Sequence, residues 1–232
     1  MNNNSLVRGE TSAYNMRWLI IFFISLFLSD GYSQDIKYTF VFLNTRDDKP
    51  ELPKEEVDEL MKGHLANIQR LANEGKLLVA GPFDGGGGIF IFRGNSSDSV
   101  KQWLSTDPGI KANRWRLEMF PYIPRVGSVC VVDAQTEMVS YTFIRYISTI
   151  TKFNVQKAGQ TFKKHDDYLK KIAKTGNVVA EGFFPNRDGG ILIMKGDVNP
   201  ELIEADPSMS DTVFTIEIKK LWVGKGSFCE SD

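Results

Sequence analysis

Two histidines are the only imidazoles in the chain, and each is followed by an Asp-Pro pair at a similar distance. His64 precedes Asp107, and His165 precedes Asp206. An aspartate beside an imidazole fixes the tautomer of the ring and stabilises the imidazolium, so such a pair can exchange protons near neutral pH. These four residues are therefore the candidate catalytic residues, if the fold brings each histidine to its aspartate.

Both histidines also fit a purely structural role. Each lies on the apolar stripe of a segment with helical periodicity, so its ring is predicted to face a sheet and not the solvent. The stripe around His64 consists of Val57, Leu60, Met61, Ile68 and Leu71, and the stripe around His165 consists of Phe162, Leu169 and Ile172. A hydrogen-bonded core histidine and a catalytic histidine are both compatible with this placement.

Other common kinds of site find little support in the sequence. The glycines at 85–88 precede an apolar run of β-type residues, and no Gly-Lys-Ser or Gly-Lys-Thr follows them, so they predict a hairpin turn and not a phosphate loop. Two histidines and two distant cysteines do not make a zinc signature. No Gly-x-Ser-x-Gly motif indicates a nucleophilic serine. We expect neither a metal nor a cofactor.

The charge balance argues against polyanionic partners. The 28 Lys and Arg residues face 29 Asp and Glu residues, which gives a formal net charge of −1. Binding to nucleic acid or to an anionic membrane surface requires a basic face that displaces counterions. We therefore expect no nucleic-acid partner, and we expect a small organic molecule of unknown identity as the ligand.

The amino terminus has the order of features of a signal peptide. Arg17 precedes an apolar run from Trp18 to Leu28, and small residues precede a cleavage position before Gln34. The run is shorter than the roughly 20 residues of a membrane span. We predict a signal peptide at 1–33, a secreted or periplasmic mature chain, and no stable membrane insertion after cleavage. An uncleaved anchor and a buried amino-terminal helix are the alternatives, and Met16 is an alternative start.

The remaining chain contains an internal repeat. Tyr-Thr-Phe at 38–40 recurs at 141–143, an offset of 103, whereas the histidines recur at an offset of 101 and the Asp-Pro pairs at 99. The offset changes only between elements, which indicates two copies of a unit of about 95 residues whose loops differ in length. We place the two units at 34–130 and 131–232.

Each unit is predicted to contain a strand, a long helix, two strands, a short helix and a last strand. In the first copy the long helix begins near Pro53 and ends before Gly75, strands at 76–83 and 88–93 form a hairpin, and the last strand covers 114–120. This βαββαβ order is typical of a ferredoxin-like α+β fold.

The predicted strands are apolar on both faces, as in the runs LLVAGPF and IFIF. The side of the sheet away from the helices therefore also needs a partner. We predict that the second copy is that partner, so that two sheets pack face to face as an intramolecular pseudo-dimer. Further self-association of such pseudo-dimers is an open alternative to a monomer.

Several short motifs resemble those of the YCII-related domain family. They are Gly63-His64-Leu65, Ala80-Gly81-Pro82-Phe83, the glycine-rich hairpin and Thr106-Asp107-Pro108. The resemblance covers 37–122 and continues more weakly through 140–222. It implies a dimeric α+β barrel whose active site is a histidine and aspartate pair, here His64 with Asp107 and His165 with Asp206. Phe183 replaces the motif's proline and Asp166 replaces its apolar residue, so we rank the second pair below the first.

Two functions follow from the resemblance and the residues together. The first is a small-molecule enzyme of the lyase or isomerase type, in which His64 moves a proton and Asp107 orients its ring. The alternative is a non-catalytic module that binds a small ligand or another protein, in which the histidine and aspartate pairs are structural. Catalysis requires the histidine to reach an open cavity, whereas a structural role permits a sealed one.

The two cysteines occupy one position of the repeat. Cys130 and Cys229 are related by the same offset of 99 as the Asp-Pro pairs, and each lies just beyond the last strand of its unit. Equivalent residues can touch only near a symmetry axis. A disulfide between the two halves is therefore one prediction, since an oxidising compartment permits it, and two separate small apolar residues are the alternative.

Overall fold

A computed structural model describes residues 38–133, 135–149, 155–185 and 189–229 of the chain. These residues belong to one structural unit, Ile36–Asp232. The predicted signal peptide at 1–33 lies outside the described residues. None of the helices in the described part of the chain combines the length and the hydropathy that a membrane span requires.

The first half contains a long helix, two short helices and five strands. In chain order they are β1 (Tyr38–Thr45), α1 (Lys54–Asn73), β2 (Leu77–Pro82), β3 (Gly88–Arg93), α2 (Ser97–Leu104), α3 (Pro108–Lys111), β4 (Trp115–Val126) and β5 (Ser128–Val129).

The second half has the same order of elements. They are β6 (Met138–Ser148), α4 (Val155–Ala173), β7 (Val178–Phe184), β8 (Gly189–Met194), α5 (Pro200–Glu204), α6 (Pro207–Ser210), β9 (Phe214–Gly224) and β10 (Phe228–Cys229).

Both halves contain one short helix more than the sequence predicts. The helices α3 and α6 begin directly after Asp107 and Asp206, whose carboxylates accept hydrogen bonds from the first turn, and a proline occupies the first helical position. Proline is favoured there because its missing N–H would have no partner in any case. The Asp-Pro pair is thus a helix-starting signal as well as a candidate site.

Eight strands form one antiparallel sheet in the order β2-β3-β1-β4-β7-β8-β6-β9, and β5 pairs with β10 in a second small sheet. The sequence predicts two sheets packed face to face, and in the structure their strands are joined into one continuous sheet. The strand β4 continues past its predicted end at Phe120, and its last residues pair with β7, with Ile123 opposite Phe183. The extension therefore joins the two halves edge to edge. An isolated bridge between Phe83 and Leu221 connects β2 to β9.

The two halves share one core on the face away from the helices. Phe40 of β1 lies 5.6 Å from Phe184 of β7, and Phe42 lies 6.1 Å from Phe143 of β6, measured between ring centroids. On the other face of the sheet, α1 and α4 each cover an apolar cluster of their own. The cluster under α1 includes Leu71, and both clusters include side chains from the strands beneath the helix. A mixed α+β fold with a large antiparallel sheet is confirmed, and the sheet is apolar on both faces.

The structure has the disulfide that was one of the two alternatives for the cysteines. Cys130 and Cys229 are bonded, with their Cα atoms 6.0 Å apart. The bond lies beside the small sheet, in which Cys229 pairs with Ser128 and Phe228 with Val129. A covalent link therefore ties the carboxyl-terminal end of each half to the other.

Candidate functional site

The first pair of predicted residues meets between α1 and α3. His64 Nδ1 lies 2.8 Å from Asp107 Oδ2. Asn67, one turn after His64 on α1, donates from its Nδ2 to the same carboxylate oxygen at 3.1 Å. The other oxygen, Oδ1, accepts a hydrogen bond of 3.1 Å from the backbone N–H of Ile110. The Asp107 carboxylate is therefore held at once by the histidine, by the helix α1 and by the helix that it caps.

These contacts set the charge state of Asp107. Complete burial of its side chain would raise the pKa, but the hydrogen bond and charge of His64, the N–H of Ile110 and the amide of Asn67 together lower the pKa of Asp107 below its usual value. Each of these donors interacts better with the carboxylate than with the protonated acid. Asp107 is thus an ionised group in a buried setting.

Aromatic rings cover the His64 imidazole. The ring centroid of Trp115 lies 4.7 Å from that of His64, and the ring of Phe90 stacks at 5.9 Å. A Cβ atom at Gly63 would lie 2.6 Å from Pro108, so the glycine beside His64 lets α3 approach α1 closely. The first pair is tightly packed on all of these sides.

The second pair meets in the same way between α4 and α6. His165 Nδ1 lies 2.6 Å from Asp206 Oδ2, and the hydroxyl of Ser208 lies 3.4 Å from the same nitrogen. The N–H of Ser208 donates to Asp206 Oδ1 at 2.9 Å. All three side chains are buried. The structure therefore brings both histidines to the aspartates that the sequence predicts for them.

A cavity of about 300 Å³ opens beside the second histidine. His165 lines it together with an apolar and largely aromatic wall formed by Tyr146, Phe162, Leu169, Phe183, Phe184, Pro185, Ile191 and Phe214. Its volume is at the lower end of the range found for small-molecule sites. The sequence ranks the first pair above the second, but this cavity belongs to the second pair.

A charged group forms one side of the cavity. Arg125, from β4 of the first half, donates to both carboxylate oxygens of Glu181 at 2.6 and 2.9 Å, and to Asp166 at 2.6 Å. Burial alone would lower the pKa of Arg125, but the hydrogen bonds and charges of Glu181 and Asp166 raise it. The sequence singled out only Asp166 of this group. No sequence pattern indicates Arg125 or Glu181, because their side chains meet only when β4 pairs with β7.

Tyr146 brings a phenol to the same cavity. Its ring is T-shaped to the His165 ring, with centroids 4.8 Å apart. The residue is 1% exposed, and its hydroxyl has no hydrogen-bond partner among the described residues. Burial, with added repulsion from the Asp206 and Glu181 carboxylates, raises the pKa of Tyr146, so the phenol keeps its proton.

Glycines let the strands of the cavity approach each other. Gly189 has φ +104°, and a Cβ atom there would lie 2.0 Å from the carbonyl oxygen of Tyr146. A Cβ atom at Gly190 would lie 2.5 Å from the carbonyl oxygen of Gly182. Any larger residue would push β8 away from Tyr146 and from β7. Across the described ranges, no group of three or more His, Cys, Asp or Glu side chains is arranged to hold a metal ion.

Comparison with known proteins identifies a YCII-related domain at residues 39–119. No curated protein matches the chain. A structure described as a "putative monooxygenase" from Lactobacillus acidophilus is 14% identical, with a TM-score of 0.41, and the match covers 84% of this chain and 99% of that one. A second structure with that description, from Fusobacterium nucleatum, is 8% identical with a TM-score of 0.46, covering 85% and 96%. At these values neither structure informs on the activity of this chain.

Proposed function

We propose that the chain is a small-molecule enzyme of the lyase or isomerase type, in which His165 transfers a proton and Asp206 orients it. The observation that supports this is that the His165 imidazole lines a cavity while its Nδ1 is bonded to a buried carboxylate. Because Nδ1 is occupied, Nε2 on the opposite side of the ring is the nitrogen that serves the ligand. The carboxylate stabilises the imidazolium formed when Nε2 takes a proton.

The proposed step conserves atoms and electrons. Nε2 of neutral His165 accepts the proton of a C–H bond that lies next to an electron-withdrawing group, and the electron pair of that bond becomes a new double bond. In an isomerase the imidazolium returns the proton to another carbon of the same molecule. In a lyase the electron pair expels a leaving group from the adjacent carbon, and the imidazolium protonates that group.

A structural role is the better proposal for the first pair. His64 is covered by Trp115 and Phe90, and Asp107 is held by Asn67 and by its own helix. These contacts favour a buried pair that locks α1 to α3. If the second pair has the same structural role, the alternative function applies. The chain is then a non-catalytic module that binds a small ligand or a protein.

The repeated elements and the disulfide extend the proposal to the second half of the chain and to its cellular location. We propose that residues 131–232 form a second YCII-like unit, that the two ferredoxin-like units together make an intramolecular dimeric α+β barrel, and that the chain is exported. The recurring element order and the shared core support the first two points. The disulfide supports the third, because disulfides persist in oxidising compartments.

The experiment compares His165→Asn with His64→Asn in the full chain. Each protein is incubated in D₂O with a mixture of small ketones, lactones and phenols, and deuterium uptake at carbon is followed by NMR. We expect His165→Asn to abolish uptake and His64→Asn to reduce it far less, with thermal melting as the control for folding. Uptake by folded His165→Asn at the wild-type rate would contradict the assignment of His165.

A further inference from the structure

Tyr146 lines the cavity, and its hydroxyl lacks a hydrogen-bond partner among the described residues. The hydroxyl is buried. Burying a hydroxyl without a hydrogen bond costs free energy, and most buried hydroxyls in proteins are paired. An unpaired hydroxyl on a residue that lines a cavity, close to a histidine that lines the same cavity, suggests a hydrogen bond to a ligand atom.

The charges of the cavity restrict what that ligand atom can be. Among the described lining residues, Arg125 is a cation and Asp166 and Glu181 are anions, so this group carries a net charge of −1. The cation is already bound by both carboxylates, and the Asp206 carboxylate is bound by His165. A ligand anion therefore meets repulsion without a free cation, and a ligand cation finds no unpaired carboxylate. The groups that remain for a ligand are Nε2 of His165, which the proposed function uses as the base, and a donor, the protonated phenol of Tyr146.

We infer that Tyr146 donates a hydrogen bond to the oxygen of a neutral carbonyl compound, such as a ketone or lactone, whose adjacent C–H faces His165. This deepens the function proposed above and rests on it. When Nε2 takes the proton of that C–H, the C–H electron pair forms a carbon–carbon double bond and the carbonyl becomes an enolate. The Tyr146 O–H then holds the oxygen on which the negative charge develops. A donor placed in this way stabilises the transition state more than the ground state.

The arrangement is specific to the second half. In β6, Tyr146 pairs with Gly190 of β8, and the residue with the same register in the first half is Leu43, which pairs with Gly88 of β3. Leucine offers no hydrogen bond, which agrees with the structural role proposed for His64. The surroundings of the two histidines thus differ at one position of the first strand of each half, which is Tyr146 in the second half and Leu43 in the first.

A matched control exists within the same chain. Tyr122 is also 1% exposed, its hydroxyl also lacks a partner among the described residues, and burial also raises its pKa. It belongs to the shared core on the other face of the sheet and is not a lining residue of the cavity. Tyr122→Phe and Tyr146→Phe therefore remove the same atom from equally buried sites.

The test uses the full chain and four bicyclic probes of similar size, which are 2-tetralone, tetralin, 1,2,3,4-tetrahydro-2-naphthoate and 2-aminotetralin. Binding is measured by NMR titration, and deuterium uptake next to the carbonyl of 2-tetralone is followed in D₂O. We expect 2-tetralone to bind most tightly. Tyr146→Phe should weaken its binding about three- to tenfold, the effect of one hydrogen bond, and slow uptake about a hundredfold, as for loss of an oxyanion donor. Tyr122→Phe should match the wild type.

The outcomes separate this inference from the proposed function. No binding of 2-tetralone, equal binding by wild type and Tyr146→Phe, or tighter binding of the carboxylate or the amine would overturn the inference. Binding that depends on Tyr146, without deuterium uptake that depends on His165, would support carbonyl recognition and remove the proton-transfer function. Uptake that depends on His165 but is not slowed by Tyr146→Phe would support the function and overturn the role of Tyr146.

Discussion

At the scale of single residues, the same histidine and aspartate pair occurs in two different surroundings. His64 packs against the large ring of Trp115, whereas His165 lies 4.9 Å from the smaller ring of Phe214 and lines a cavity. Asp166, next to His165, faces Arg125, whereas Leu65, next to His64, is 60% exposed. The neighbours of the pair, more than the pair itself, decide which histidine lines a cavity.

The charge of Asp107 makes the stability of the fold depend on pH in a defined direction. Its pKa is lowered in the folded state, so its contribution to stability is complete above its unfolded pKa of about 3.9 and is lost as the pH falls through the lower folded value. We expect the free energy of unfolding to fall as the pH drops below about 4, and to fall less in Asp107→Asn. The measurement is urea unfolding at several pH values.

Asparagine is the right replacement for this measurement, because it can still cap α3 and accept the hydrogen bond from Ile110. The substitution therefore removes the charge while keeping most of the shape. Parallel curves of unfolding free energy against pH for the two proteins would show that Asp107 does not carry the dependence.

The pairing of each histidine with its aspartate could be predicted from the sequence, and the rank of the two sites could not. The resemblance to the YCII-related domain implies the pairing, and the helix periodicity places each histidine on the face toward the sheet; both depend on local signals. The cavity depends on Arg125, Glu181 and Tyr146, which come from three strands and have no common motif. Their catalytic or binding roles stay predictions.

At the scale of elements, the sequence predicts the long helices and the hairpin well because their signals are periodic. It fails at β4, which continues to Val126 although Pro121 and Pro124 follow its predicted end. Prolines usually end a strand, since they donate no hydrogen bond. Here Pro124 lies opposite Gly182 where the register shifts, so the irregular pairing accommodates it. This contact with β7 is long-range, and a local pattern cannot reveal it.

The close approach of β8 to β6 provides a test at the same scale. Gly189 has a positive φ, and a Cβ atom there would lie 2.0 Å from the Tyr146 carbonyl oxygen. We expect Gly189→Ala to lower the free energy of unfolding by more than about 2 kcal/mol, because the strain of a positive φ alone costs roughly 1–2 kcal/mol and the strands must also separate. Denaturant unfolding measures the loss.

Gly196 is the matched control for that substitution. It also has a positive φ, of +71°, but a Cβ atom there has no neighbour within 4 Å. Gly196→Ala should therefore show only the backbone strain, roughly 1–2 kcal/mol. Equal losses for the two variants would mean that β8 can move away from Tyr146 without cost.

At the scale of the whole molecule, several kinds of contact join the halves. The strands β4 and β7 pair along their edges, the aromatic residues of both halves share one core, and the disulfide links the two ends. The sequence predicts the shared core from strands that are apolar on both faces, and it places both cysteines at one position of the repeat. It cannot show the edge pairing, which arises only when the halves meet.

The disulfide should add stability without being required for the fold. It joins residues 99 apart in sequence, and closing a loop of about 100 residues restricts the unfolded chain by up to roughly 4.7 kcal/mol in the chain-entropy model, with typical measured values of about 2–4 kcal/mol. The edge pairing and the core are contacts separate from the bond. We therefore expect the reduced protein and the Cys130→Ser, Cys229→Ser double variant to fold, with an unfolding free energy lower by about 2–4 kcal/mol.

Denaturant unfolding of the oxidised, reduced and double-serine proteins measures this difference, and thiol labelling under non-reducing denaturation shows which species is present. The double-serine protein separates the bond from the reductant, because its stability should not change when reductant is added. A bond that acted only on the folded state would change the native spectrum when it is reduced. If the bond instead restricts the unfolded chain, reduction should leave the native spectrum unchanged and should lower the denaturant concentration at the unfolding midpoint. Two free thiols in the untreated protein, or equal midpoints for all three, would show that non-covalent contacts alone hold the halves together.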